Sequence, residues 1–332
     1  MTFISHSCPD LDPQDPVALK ECLDRSYVGW DKGLEEVLKR DIQKFVCKDQ
    51  VVVTPSGSMA LLIALRALGV REGTPVLLPA ITCWSVYNAV IFLGAKPVVC
   101  DVRSPNDFRS CFEAIARKVT EKEQVAIVTH MFGVLIEEEH IHRLKEELKL
   151  HVIEDYASSF GALYNNKSPV GKFSDFVIGS FSATKPITAG AGGFIASNKV
   201  FMADTHQQPV YGLLAMNCQT SCLNQRLLER QFIRFDNILD KKKQLKRFFS
   251  RFVKIFGDES KGLYRAITFD SAEKLRDHLN DQGIQLDIRK SVQPNLAQEL
   301  GLDLPNARNF EAYSSIPFHG RLLDALELKG LL

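Results

Sequence analysis

The chain has 332 residues, 45% of them hydrophobic and 24% charged, with 41 basic and 40 acidic side chains giving a formal charge of +1. This content over this length excludes a mainly disordered, collagen-like or low-complexity protein, and at roughly 150 residues per domain it suggests two domains. A near-neutral balance argues against nucleic acid or an anionic membrane as partner, and no run of about 20 apolar residues is present to span a bilayer. The opening Met1–His6 has no basic stretch followed by an apolar core, so no secretory signal is expected there. Most of the eight cysteines sit in apolar runs and read as small hydrophobes of a reducing cytoplasm. From residue 51 onward, short apolar runs alternate with helical patterns. Strands are expected at Val51–Thr54, Pro75–Pro79, Pro97–Asp101, Val125–Thr129, His151–Asp155, Phe176–Ser180 and Phe194–Ser197. Runs apolar on both faces belong to a sheet covered by helices on both sides. Between them, Ser58–Leu68 reads as a helix closed by Gly69, and Ile136–Leu150 as a helix with acidic residues early and lysines late. Beyond residue 220 the texture changes. One long amphipathic helix is expected over Gln225–Phe256, its Lys241-Lys242-Lys243 run forming a solvated face. A strand (Leu263–Phe269), a helix (Ser271–Gln282) and a strand (Ile284–Ile288) follow. The expected fold is α/β: a large, doubly wound, mainly parallel domain over 1–220, including the N-terminal segment, and a small α+β domain over 221–332. Cys218 and Cys222 have C-x3-C spacing with no second pair and no close histidine, so no metal site is expected.

Three stretches carry chemistry. In Ser180 to Gly193, Lys185 sits just past a core strand between hydroxyl residues and a glycine-rich turn. A desolvated lysine is a nucleophile, and the neighbouring hydroxyls can donate to a phosphate. An ordinary surface lysine in a turn is the bland alternative. In Val152 to Ala162, Asp155 closes an apolar strand, at the end where doubly wound sheets bind ligands; a plain helix N-cap is the alternative. In Thr54-Pro55-Ser56-Gly57-Ser58, a small-residue turn leads from strand to helix and offers backbone N–H groups to an anion; a capped helix is the alternative. Neither G-x-x-x-x-G-K nor G-x-G-x-x-G is present there, which argues against nucleoside triphosphates and dinucleotides. Together the three stretches converge on pyridoxal phosphate, which needs an amine for its aldehyde, an anion for its ring nitrogen and a helix start for its phosphate.

With these motifs the chain resembles the DegT/DnrJ family of fold-type I pyridoxal-phosphate enzymes, whose best-known members are sugar-nucleotide aminotransferases. The resemblance runs from about Tyr27 to Ala325 and also includes Gly94-Ala95-Lys96-Pro97-Val98 and His130-Met131-Phe132-Gly133. It implies that Lys185 holds the aldehyde, that Asp155 pairs with the ring nitrogen, and that Ser180, Gly57 and Ser58 hold the phosphate. It implies that Asn224 reaches the phosphate of a neighbouring subunit, hence a homodimer with composite sites. The implied reaction moves an amino group from an amino acid, glutamate by analogy, to a keto-sugar on a nucleotide carrier. Cyclitol or other ketone acceptors, and a non-catalytic regulatory descendant, stay open.

The chain departs from the family at several positions. Ser158 stands where members have glutamine or histidine against the ring hydroxyl. Cys83 stands where an aromatic stacks on the ring, with Trp84 beside it. Ala191 replaces a glutamate in the glycine-rich turn, and the small domain is shorter than usual. Trp30, Trp84 and His319 are substrate-contact candidates by resemblance. His130 is expected to be structural, and Arg289 an exposed strand-end residue.

Overall fold

The computed structural model describes residues 1–25, 28–120, 124–165, 167–199, 219–257, 265–291 and 293–332. Its strands are, in chain order, β1 (Thr2–Ile4), β2 (Gln50–Thr54), β3 (Pro75–Pro79), β4 (Lys96–Cys100), the hairpin β5 (Val102–Ser104) and β6 (Asp107–Ser110), β7 (Val125–Thr129), β8 (His151–Asp155), β9 (Phe176–Ser180), β10 (Gly193–Ser197), β11 (Ala266–Thr268), β12 (Ile284–Leu286), β13 (Arg289–Lys290) and β14 (Ser314–Ile316). The seven apolar runs of the first 200 residues form one sheet in the order β2-β10-β9-β8-β7-β3-β4, in which β10 alone is antiparallel to its neighbours. The mainly parallel α/β architecture read from the sequence is thus present.

The sheet sorts its side chains with a period of two. Val76, Leu78, Ile127, Ile153, Ile178 and Ile195 join the core on one face. Leu77, Ala126, Val128, Val152, Val177 and Phe194 join the core on the other. Both faces are covered, so no strand in the middle has a polar side. Each fully buried Leu, Ile, Val or Phe contributes about 1.5–3 kcal/mol, which makes this sheet the rigid base of the molecule.

Its carboxyl edge is where chemistry gathers. Thr129 pairs with Asp155 and Asp155 with Ile178, so β7, β8 and β9 end side by side. β10 starts at the same edge, where Gly193 lies between Thr54 and Ser180. The helix Gly57–Ala67 also starts here. Ser56 caps it by accepting the Met59 N–H at 3.1 Å.

Three helical expectations need correction. The expected helix Ile136–Leu150 begins only at Glu138 and ends at Glu146. Its first turn is claimed elsewhere: the Ile136 N–H donates to His130 Nδ1 at 3.0 Å, and Glu137 is held by Arg103 and Arg109. The expected long helix over Gln225–Phe256 is two, Cys222–Ile233 and Phe235–Phe249. Between them Arg234 leaves helical geometry (φ −100°, ψ 6°) and pairs with Asp15 at 2.6 Å, while Phe235 turns into a ring cluster with Phe45 and Phe160. The lysine run on the second helix is not a uniformly solvated face. Lys243 pairs with Asp240 and Lys241 with Asp10, but Lys242 is buried, its Nζ donating to the Phe318 carbonyl at 3.1 Å.

The C-terminal part is α+β as expected, with β11-β14-β13 as an antiparallel sheet. The N-terminal segment, expected with the large domain, sends its first strand elsewhere: β1 pairs in parallel with β12, and Ile4 packs with Leu245, Phe249 and Ile284. Cys218 lies outside the described residues, as does the start of the expected strand Leu263–Phe269.

Candidate active site

Strand ends at one edge of a parallel sheet leave a crevice, and here it is a cavity of about 290 Å³. Gly57, Ser58, Cys83, Asp155, Ser158, Ser180 and Lys185 all line it, so seven of the sequence-derived site residues come together. They come from separate elements: the start of the helix Gly57–Ala67, the residue before the helix Trp84–Phe92, the ends of β8 and β9, and the loop after β9.

The loop carrying Lys185 is pinned on both sides. Its own backbone closes through Lys185 N–H to Ser182 O at 3.0 Å and Ala189 N–H to Phe181 O at 2.9 Å. The helix Cys222–Ile233 clamps it from outside, with Asn224 Nδ2 donating to Ala189 O at 2.6 Å. Lys185 Nζ donates to Ser158 Oγ at 3.3 Å, so the serine that replaces the family's glutamine or histidine touches the candidate nucleophile.

Asp155 is buried to 6% of its free exposure. Its Oδ1 accepts the Ala157 N–H at 2.9 Å. Burial pushes its carboxyl above the ordinary carboxylate range, offset in part by Ala157, Lys185 and His130. A carboxylate held in such surroundings favours a cationic partner, which is what a protonated ring nitrogen supplies.

The phosphate end is a cradle with no room for a side chain. A Cβ on Gly57 would stand 2.8 Å from Ser180 Cβ, and one on Gly193 would stand 2.5 Å from Gly57 N and Ser56 C. The first-turn N–H groups of Gly57 and Ser58 have no partner within their own helix, and the N-terminus carries the positive end of the helix dipole. Ser180 Oγ lies beside them, 3.4 Å from the Ser182 N–H. Amine, buried carboxylate and anion cradle therefore fit pyridoxal phosphate on their own chemistry. Gly193→Ala is expected to lower stability by about 1–3 kcal/mol and to weaken cofactor binding, because the added methyl displaces Gly57. Thermal melting and a cofactor titration would check this; wild-type values in both would mean that the helix start does not press on β10.

The other candidates divide. Cys83 lines the cavity and its Sγ accepts from Ser85 Oγ at 3.1 Å, whereas Trp84 packs edge-on against Tyr87 in the core and does not line the cavity. Trp30 also lies off the cavity, its indole N–H donating to Glu35. Asn224 does not line the cavity of its own chain. His319 lies in a smaller neighbouring cavity that shares Lys185. His130 is fully buried. Because Nδ1 accepts a backbone N–H, Nε2 carries the hydrogen and donates to Glu154 at 2.9 Å, a structural role. Arg289 is exposed and paired with Asp287.

Ser182 and Thr184, the hydroxyls flanking Lys185 that the sequence offered to a phosphate, line the cavity too, whereas sequence reading missed Thr129, Met131, Arg265 and Gln293 there. Thr129 was findable, since it ends a strand beside Asp155. Arg265 carries no local signal, because it enters from the small domain.

The chain is similar to known proteins in sequence and in fold. The family described as DegT/DnrJ/EryC1/StrS aminotransferases matches residues 14–219. GDP-perosamine synthase of Escherichia coli O157:H7 is 27% identical over 311 residues, covering 86% of this chain and 84% of that protein. The Vibrio cholerae protein of the same name is 28% identical over 196 residues, 59% of this chain and 53% of its own length. Among solved structures, a Streptococcus pneumoniae protein described as a sugar aminotransferase, in its PLP form, superposes with a TM-score of 0.81. It has 20% identity and covers 98% of this chain and 97% of that one, a likeness of fold.

Proposed function

The chain belongs to the DegT/DnrJ/EryC1/StrS aminotransferase family and is a pyridoxal-phosphate-dependent aminotransferase, and on that premise we propose that it moves an amino group from glutamate to the ketone of a nucleotide-linked sugar. The observation that carries this reading is the meeting of Lys185, Asp155 and the Gly57–Ser180 cradle in one cavity. The name of the relative matched over 86% of the chain favours a GDP-linked sugar as acceptor.

When bound, pyridoxal phosphate supplies an aldehyde carbon that accepts the amine and a protonated ring that draws electrons from the donor's α-carbon. Lys185 holds that aldehyde at rest. With its amine free, Lys185 Nζ would serve as general base toward the donor's α-proton, and Ser158 Oγ, which accepts one of its hydrogen bonds, would keep the amine aimed. Asp155 would keep the ring nitrogen protonated, Gly57, Ser58 and Ser180 would hold the phosphate, and Cys83 would be available to the ring. By likeness to the family we assign Asn224 to the partner's site of a homodimer; within its own chain its Nδ2 donates to Ala189 O. We put the domain boundary near residue 220, with the helices that follow it still packing on the large domain's core through Leu228, Phe235 and Ile238. Among the described residues no helix is long and apolar enough to cross a membrane; we assign the enzyme to the cytoplasm.

A single-turnover experiment tests the reaction. Glutamate added to cofactor-loaded enzyme is expected to yield one 2-oxoglutarate per site. Nucleotide-linked keto-sugars, GDP-linked ones first, then restore the starting absorbance and yield an amino sugar. Formation of 2-oxoglutarate with no turnover of any sugar in the panel would overturn the acceptor assignment. No 2-oxoglutarate, and none of the corresponding keto acid from other amino acids, would overturn the reaction.

A further inference from the structure

Beside the main cavity lies a second one of about 40 Å³, and Thr184, Lys185 and Arg265 line both. Resting on the aminotransferase reading above, we propose that this second cavity is the subsite for the distal carboxylate of a dicarboxylic amino donor, held by Arg265 and Lys242 with His319 beside them.

Size comes first. A cavity of this volume holds about three water-sized groups, enough for a carboxylate and its carbon but not for a ribose or a base. Thr184, Lys185 and Arg265 line both spaces, so a carboxylate held here would lie next to the main cavity.

Charge comes next. Among the described residues, three cations line the cavity, Lys185, Lys242 and Arg265, against one carboxylate, Asp10. Asp10 is itself 3.4 Å from Lys241. The Lys242 side chain is fixed by the Phe318 carbonyl and lies over the Phe318 ring, 5.0 Å from its centre. Arg265 Nη1 donates to His6 Nδ1 at 2.8 Å. Burial and the neighbouring Arg265 lower the His6 pKa to about 4, so this histidine orients the guanidinium without contributing a charge.

The third observation points to a ligand directly. His319 is 8% exposed, and its Nε2 donates to the Ser5 carbonyl at 2.9 Å. Its Nδ1 is buried and has no hydrogen-bond partner. Buried polar atoms are rarely left so. Burial, with Lys242 and Arg321 nearby, holds the His319 pKa below its ordinary value, so Nδ1 is an unfilled acceptor beside the two cations, open to a hydrogen carried by the ligand.

The site is assembled by the two ends of the chain. β1 pairs with β12, which brings Ser5 and His6 against His319 and Arg265. The N-terminal segment thereby walls the cavity and holds two of its side chains in place.

Equilibrium binding tests the proposal. Glutarate, a non-reacting dicarboxylate, and pentanoate, a monocarboxylate of the same length, are titrated into cofactor-loaded enzyme by calorimetry. Glutarate is expected to bind roughly 10- to 100-fold tighter than pentanoate, the scale of a charge-assisted contact. Lys242→Met and Arg265→Gln should each remove most of that preference while pentanoate affinity stays put, with thermal melting confirming a folded protein. If Lys242→Met does not fold, Arg265→Gln and His319→Gln carry the test. Equal binding of the two acids by the wild type, or a preference that survives in every folded variant, would overturn the subsite. Equal binding of the two acids by a wild type that still forms 2-oxoglutarate overturns the subsite alone. Absence of keto acid from every amino acid overturns the aminotransferase reading, while glutarate binding still reports on the cavity.

Discussion

Replacing Lys185 with alanine is expected to end turnover, with kcat falling about 10⁴-fold or more. General-base catalysis is worth about 10²–10⁴, and the same amine also serves as the nucleophile that holds the cofactor. Among the described residues no other lysine lines the main cavity, and the guanidinium of Arg265 cannot take the place of an amine nucleophile. Lys242, which lines the neighbouring space, is fixed by the Phe318 carbonyl and cannot substitute without leaving it. The fold should survive, because Lys185 is half-buried on a surface loop whose closure runs through backbone groups and Thr188. A melting change of about 1 kcal/mol or less is expected. A second readout is independent of turnover: hydride trapping followed by peptide mass analysis should place the cofactor on the Lys185 peptide in the wild type and nowhere in the variant. A Lys185→Ala enzyme that transaminates at the wild-type rate would sink the assignment.

Why Lys185 and Asp155 were legible in the sequence, and Arg265 and His6 were not, is a matter of range. The runs Val125–Thr129, His151–Asp155 and Phe176–Ser180 are apolar on both faces, and they match β7, β8 and β9 residue for residue. A strand bounded so sharply also marks its own carboxyl end, so Asp155 and Ser180 are placed as soon as the strands are. Gly57 is found the same way, from a small-residue turn between a strand and a helix. The helix breaks have a different cause. Arg234 leaves helical geometry to meet Asp15, a residue 219 positions away, and no local propensity encodes that pairing. His6 meets Arg265 across 259 positions, and Ser5 meets His319 across 314. Lys242 looked like one lysine of a solvated run because burial depends on what the C-terminal segment Phe318–Gly320 covers. Local chemistry thus reveals the cofactor side of the site, whereas the donor side is built by contacts between distant parts of the chain.

Asp155→Asn should lower kcat by about 10²- to 10⁴-fold. Removing one partner of a buried ion pair costs about 3–5 kcal/mol, and each 1.36 kcal/mol is a factor of ten in rate. Asparagine can still accept the Ala157 N–H, so the site's shape is kept and the lost quantity is charge. The same residue makes a stability prediction of opposite sign. Burial raises the carboxyl of Asp155 above its ordinary value of 3.8. An acid whose folded-state pKa is raised binds its proton more tightly when folded, so it costs stability as the pH rises past the ordinary carboxylate value. At neutral pH the cofactor-stripped Asp155→Asn protein should therefore melt above the stripped wild type, with the gap closing as the pH falls toward 3.8. Adding pyridoxal phosphate should reverse the order, because only the wild type then gains a cation against its buried carboxylate. Melting curves of both proteins, with and without cofactor at two pH values, separate the possibilities. A variant that the cofactor stabilises as much as it does the wild type would mean that Asp155 does not face the ring nitrogen. The price of burying a carboxylate in the stripped protein would then have no functional explanation in this site.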